Sequence, residues 1–136
     1  MEIVRKIGLA FIRDGAVLLC RKRGLASLIL PGGKIEVGEE PLDCLRRELV
    51  EELGEVDLVN PVFLGAYSDV MAGDAARTIE VLLYSGELAG CPVASSEIAE
   101  LVWFGPDDDF LELAPSLANK ILPDLMSRGL LTWEKI

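Results

Sequence analysis

The chain contains no histidine. That absence removes Ser-His-Asp and Cys-His nucleophile systems, histidine-ligated zinc and histidine acid–base catalysis together. Any hydrolysis must then rest on carboxylates, lysine, tyrosine and metal-activated water. Cysteine offers little more. Cys20, Cys44 and Cys91 are odd in number and far apart, with no C-x-x-C pair, so a zinc site or a disulfide framework does not fit. Cys20 and Cys44 lie in apolar patterns and read as buried thiols. No apolar run is long enough to cross a bilayer. The N-terminal M-E-I-V-R-K-I-G lacks the basic, apolar, small order of a secretion signal. The expected location is cytoplasmic, without a membrane partner. Positive charge is also scarce: 13 Lys and Arg face 23 Asp and Glu, for a net charge of −10. Such a surface repels phosphate backbones, so duplex nucleic acid is not an expected partner. An acidic protein that handles an anionic ligand needs cations to bridge the two.

What is present is a good core. Apolar residues make up 51% of the 136 residues, which suits one domain, 1–136, around a single core. The most regular stretch runs from Pro41 to Gly54. Proline suits the first helical position, Asp43 suits the first turn, and Gly54 suits the end. Leu42, Leu45, Leu49 and Leu53 recur at the spacing of one buried helical stripe. Glu48, Glu51 and Glu52 break this tidy picture. At i, i+3, i+4 they neighbour one another beside the leucine stripe, and like charges so placed cost a few tenths of a kcal/mol per pair. They also crowd the helix end where the dipole disfavours anions. Two readings follow: an ordinary solvated acidic face, or a hard, oxygen-rich site for Mg²⁺ or Mn²⁺.

The wider spacing favours the second. Gly33, five residues, Glu39, seven residues, then Arg47-Glu48-Leu49-Val50-Glu51-Glu52-Leu53-Gly54 resembles the Nudix box, G-x5-E-x7-R-E-U-x-E-E-x-G-U, with U apolar. Every fixed Gly, Glu and Arg position matches, which chance produces on the order of once in 10⁸ windows. One departure is visible: the final apolar position holds Glu55, and Val56 comes one later. The G-G-K-I-E-x-G-E run and the short chain look most similar to the MutT-like nucleotide hydrolases. The resemblance implies the Nudix fold, an α+β class mixed α/β/α sandwich with a mixed β-sheet between helices. It implies Glu48, Glu51 and Glu52 as metal ligands, with the Gly33 carbonyl facing the metal and Glu51 or Glu52 taking a proton from water. Arg47 and Glu39 match positions that brace the loop and helix.

The flanks can be read in order. Ile3 to Ile12 and Ala16 to Arg23 are strands around an Arg13-Asp14-Gly15 turn. Alternation puts Arg21 and Arg23 on one face and Lys22 on the other; the two arginines are either solvated edge charges or substrate contacts. Lys34 to Val37 reads as a short strand, with Lys34 a further substrate candidate. Val56 to Met71 is extended but broken at Pro61 and Gly65. Tyr67 to Arg77 reads as a hairpin loop, Thr78 to Ser85 as a strand, and Gly86 to Ser96 as loop. E-I-x-E-x-x-W-F from Glu97 is a second, weaker resemblance to Nudix proteins. It makes Glu97 a candidate outer metal ligand or base, Glu100 the runner-up, and the alternative a solvated loop acid. Asp107-Asp108-Asp109 is helix-start chemistry rather than a metal cluster. A helix from Pro115 to Arg128 should kink at Pro123. Ser116 and Asn119 near it are either capping and surface residues or readers of a base edge. The tail to Ile136 either docks back or supports a homodimer.

The expected activity is Mg²⁺-dependent hydrolysis of a nucleoside diphosphate linked to X. A (deoxy)nucleoside triphosphate, ordinary or oxidised, is the leading substrate. ADP-ribose, dinucleoside polyphosphates and sugar nucleotides are the alternatives. A non-catalytic nucleotide-binding module on the same fold is the reading from another class.

Overall fold

The computed structural model describes residues 2–133. The strands are β1 (Ile3–Ala10), β2 (Ile12–Arg13), β3 (Ala16–Lys22), β4 (Leu28–Ile29), β5 (Gly32–Lys34), β6 (Asp57–Met71), β7 (Asp74–Ala89) and β8 (Ile98–Phe104). The helices are α1 (Pro41–Leu53) and α2 (Leu122–Ser127), with a 3₁₀ turn at Phe110–Glu112 and a π-helical turn at Leu117–Ile121. One sheet has the order β5-β1-β7-β6, with β1 and β7 parallel and the other pairs antiparallel. In the other, β3 takes β2 and β4 at its two ends and β8 along its far side.

β3 and the second half of β1 are buried on both faces, as apolar runs in strands allow. Leu18 and Cys20 of β3 join Ile7, Leu9 and Phe11 under the α1 residues Cys44, Leu45, Leu49 and Leu53. Val17 and Leu19 join Val81, Leu83 and Phe104 under Leu117, Ile121, Leu122 and Leu125. This is the expected α+β arrangement, helices either side of mixed strands. Gly54 ends α1 at φ 82°, an angle open to glycine.

Five expectations change. The short strand ends at Lys34, not Val37, because β5 pairs only with β1 and the chain turns at once, with Glu39 N–H donating to the Glu36 carbonyl. The loop expected from Tyr67 to Arg77 shrinks to Ala72 and Gly73, because β6 and β7 pair almost to their tips. Likewise β7 runs on to Ala89, beyond the expected end at Ser85. Pro61 and Gly65 do not break β6 but coincide with register shifts, where an unpaired residue costs no ladder bond. The C-terminal segment is not one kinked helix. Pro123 sits in the first turn of α2, and the preceding turn widens so that Leu122 N–H donates to Leu117. Trp133 Nε1 donates to the Gly15 carbonyl at 2.6 Å, so the tail docks back this far. The rest of the W-E-K-I tail, Glu134 to Ile136, lies outside the described residues.

Candidate active site

The acidic side of α1 forms one wall of a cleft lined also by Gly32, Gly33, Lys34 and Glu97. Arg47 organises that wall. Its Nε and Nη2 donate to the two Glu39 oxygens at 2.8 and 3.0 Å, and Nη1 donates to Glu48 at 2.9 Å and to Glu51 at 3.4 Å. The planar guanidinium suits such forked bonding. These bonds hold the Glu39 carboxyl down at about 2, and Arg47 is shifted further up in turn. Glu52 is turned away from Arg47 and accepts from the Gly32 N–H at 2.8 Å. Burial pushes Glu52 up to about 7, against the lowering effect of that N–H, and the Glu48 charge adds to the rise. Glu48 is also raised by burial, with Arg47 opposing.

Among the described residues, no three acidic or thiol side chains gather as a ready-made metal cage. The expected convergence of Glu48, Glu51 and Glu52 is thus looser than the helix spacing suggests. Like charges repel, so each carboxylate turns to its own donor: Glu48 and Glu51 to Arg47, Glu52 to the backbone. The donor set still suits a hard divalent cation, being carboxylate and carbonyl oxygen without imidazole. The backbone is cut to fit these acids. A Cβ on Gly33 would stand 2.3 Å from the Glu48 carboxyl carbon, so only glycine lets that carboxylate lie against β5. Gly32, at φ 143°, would put a Cβ 2.0 Å from the Ile7 carbonyl oxygen.

The cations Lys6, Lys22 and Arg77 line the same cleft as the acids. Lys22 Nζ pairs with Glu97 at 3.1 Å, so Glu97 reaches the cleft and its nearest cation is a lysine. Lys6 is half-buried and lies directly across from Lys34 in the β1–β5 register. Burial lowers its pKa and Lys22 adds to this, while Glu52 and Glu48 act the other way.

The cleft opens into a cavity of about 300 Å³ between the first sheet and the π-helical turn. Its lining is aliphatic, including Leu30, Met71, Val81 and Leu117. Ser116, 5% exposed, also lines it, and no side-chain hydrogen bond engages its hydroxyl among the described residues. Lys6, Lys22, Gly32 and Gly33 line both spaces.

The expected residues therefore divide. Glu48, Glu51, Glu52, Gly33, Lys34 and Glu97 line the cleft, and Arg47 and Glu39 stand behind it. Arg23 and Ser116 line the cavity. Arg21 does not reach either space: it pairs with Glu100 at 2.6 Å and Glu112 at 3.2 Å, which also takes Glu100 away from the acids. Asn119 is exposed and donates to Asp69 at 3.1 Å. Lys22, assigned by alternation to the face opposite Arg23, joins it at the cavity because the register shifts between Arg21 and Lys22. Sequence reasoning gives Lys6 no role. Its only signal is a lone cation on a face that otherwise carries Val4 and Ala10, both buried.

The NUDIX domain model matches residues 4–125. The chain is 33% identical over 108 residues to the nucleoside triphosphatase NudI of Escherichia fergusonii, covering 70% of this chain and 77% of that one. It is 29% identical over 120 residues to the Nudix hydrolase YvcI of Bacillus subtilis, covering 85% and 74%. A solved MutT Nudix hydrolase from Burkholderia pseudomallei superposes with a TM-score of 0.69 at 27% identity, covering 80% of this chain and 88% of that one. Nudix hydrolases generally use divalent metal ions, which agrees with the oxygen donors of the cleft. The chain belongs to the Nudix family, as a MutT-like hydrolase acting on diphosphate bonds.

Proposed function

We propose that this chain, acting as one domain over residues 1–136, is a Mg²⁺-dependent nucleoside triphosphate pyrophosphohydrolase that releases a nucleoside monophosphate and pyrophosphate. The observation that carries this is the continuity of two unlike spaces: an acidic cleft running into an apolar cavity across Gly32 and Gly33. A polyphosphate needs the first and a nucleoside needs the second. The NudI relative, named as a nucleoside triphosphatase, supports the same substrate class.

In this reading Glu48, Glu51, Glu52 and the Gly33 carbonyl hold the cation, with Glu97 at the outer edge. A bound divalent ion neutralises phosphate charge and makes water a stronger nucleophile. Arg47 and Glu39 hold the helix and the Gly33–Glu39 loop in register. The water oxygen adds to phosphorus as the bridging P–O bond breaks, and the pyrophosphate leaves with the bridging oxygen. The proton passes to Glu51 or Glu52. Lys34 offers charge to the phosphates, while Arg23 and Ser116 face the nucleoside.

The test is hydrolysis with Mg²⁺ across ordinary and oxidised nucleoside triphosphates, ADP-ribose, dinucleoside polyphosphates and sugar nucleotides, with products identified and Glu52→Gln as control. Pyrophosphate and monophosphate from triphosphates, absent in the variant, are expected. Preferential cleavage of ADP-ribose or a sugar nucleotide would replace the substrate class. Silence across the panel, from a folded protein that binds Mg²⁺, would favour a nucleotide-binding module.

A further inference from the structure

Among the described residues, no ion pair or side-chain hydrogen bond engages the Lys6 ammonium. It stands on β1 at the junction of the cleft and the cavity and lines both. The other lysine at that junction, Lys22, is paired to Glu97 at 3.1 Å. Lys34, directly opposite Lys6 in the strand register, carries the same charge. Like charges directly opposed across two strands are destabilising. Glu48 and Glu52 feel the Lys6 charge from across the cleft. Yet among the described residues no carboxylate lies within ion-pair distance of its ammonium, although 11 other such pairs form. A half-buried ammonium that is repelled by Lys22 and Arg77 and has no ion-paired acid among the described residues is a seat for an anion brought from outside.

We propose that Lys6 is the seat of the nucleoside-proximal phosphate, the one retained by the monophosphate product. The inference rests on the reading of the cavity as the nucleoside site. A group bonded to a nucleoside in the cavity and to a diphosphate in the cleft must pass the junction, and Lys6 is the junction lysine without an ion-paired carboxylate among the described residues. Lys6 then discriminates a nucleotide from a bare nucleoside, and holds the product until it leaves.

Binding without metal tests this apart from catalysis. Calorimetric titrations in EDTA would compare inorganic phosphate, a nucleoside and its monophosphate, the base being that of the triphosphate hydrolysed fastest. The monophosphate is expected to bind roughly tenfold or more tightly than the nucleoside, the scale of one charge-assisted hydrogen bond. Lys6→Met should erase that difference and weaken inorganic phosphate binding, while leaving nucleoside binding alone. Lys6→Arg should retain the difference. Lys6→Met should fold, since it keeps the aliphatic stem and removes a repelling charge, and an unlowered melting temperature checks this. Equal binding of nucleoside and monophosphate to the wild type would overturn the proposal, as would a full monophosphate advantage in Lys6→Met. Phosphate binding that depends on Lys6, with no gain from an attached nucleoside, would keep the anion seat and overturn the nucleoside reading of the cavity.

Discussion

The acidic cleft and the apolar cavity touch along Gly32 and Gly33, yet they are built in opposite ways. The cleft's acid wall comes from one continuous stretch, Gly33 to Gly54, whose parts hold one another: Arg47 clasps Glu39 from the loop and Glu48 and Glu51 from its own helix. The cavity has no such local core. Its walls come from β1, β5, the ends of β3 and β4, the tip of β6, the first half of β7, and the π-helical turn. Charge in the cleft is held by hydrogen bonds of fixed direction, whereas the cavity is shaped by packing. Structure of the first kind suits chemistry that demands fixed geometry, and structure of the second kind suits recognition.

The largest effect expected is on the cleft. Glu52→Gln should lower kcat by about 10³-fold or more, since it removes either a metal ligand or the proton acceptor. Far-ultraviolet circular dichroism should be unchanged. A loss under tenfold would show that the acid wall does not carry the chemistry. Arg47→Ala comes next, at about 10–100-fold, the cost of losing a group that orients ligands. Arg47→Lys should not restore activity, because lysine lacks the fork that spans both Glu39 oxygens. Gly33→Ala should fall in the same range, by pushing the Glu48 carboxylate off β5. Both can be read from Mg²⁺ titrations of activity, where the apparent metal affinity should weaken.

The metal-free protein should show a pH signature that belongs to the cleft alone. Glu52 sits at about 7 in the folded chain and near its ordinary carboxyl value when unfolded. The folded state therefore binds the extra proton, and stability is full below the unfolded value and declines as pH rises through the folded one. Denaturant melts in EDTA should lose up to about 3 kcal/mol between pH 4.5 and 7.5. Glu52→Gln should flatten this slope and be the more stable protein at pH 8. Retention of the slope in the variant would assign it elsewhere. The smallest effect belongs to the cavity. Ser116→Ala removes one hydroxyl, for a rise in KM of roughly fivefold at unchanged kcat, the scale of about 1 kcal/mol. A drop in kcat instead would mean that the cavity shares in the chemistry.

How far each region is legible in the sequence follows the same division. The 22 residues from Gly33 to Gly54 carry cap, stripe, brace and acids at spacings that only a helix reconciles, and α1 forms at the expected bounds, Pro41–Leu53. The helix period says which residues are neighbours, but not which donor each carboxylate takes, so the separate bonding of Glu48 and Glu52 was hidden. Alternation puts Arg21 on one face with Arg23. The register shift beside it and the acids Glu100 and Glu112, 79 and 91 residues away in sequence, put it elsewhere. Lys6 was invisible because an isolated lysine in a strand has no local pattern.

The sequence alone determined the residue types available for chemistry, by omitting histidine and massing glutamate. It also determined the acidic helix and its leucine face, because period, cap and spacing are properties of neighbours along the chain. Tertiary structure decided which cations face those acids, that Ser116 and Arg23 rather than Arg21 and Asn119 line the cavity, and that cavity and cleft are continuous. Those outcomes depend on strand register and on contacts between residues far apart in the chain, and a one-residue shift in register exchanges the two faces of a strand.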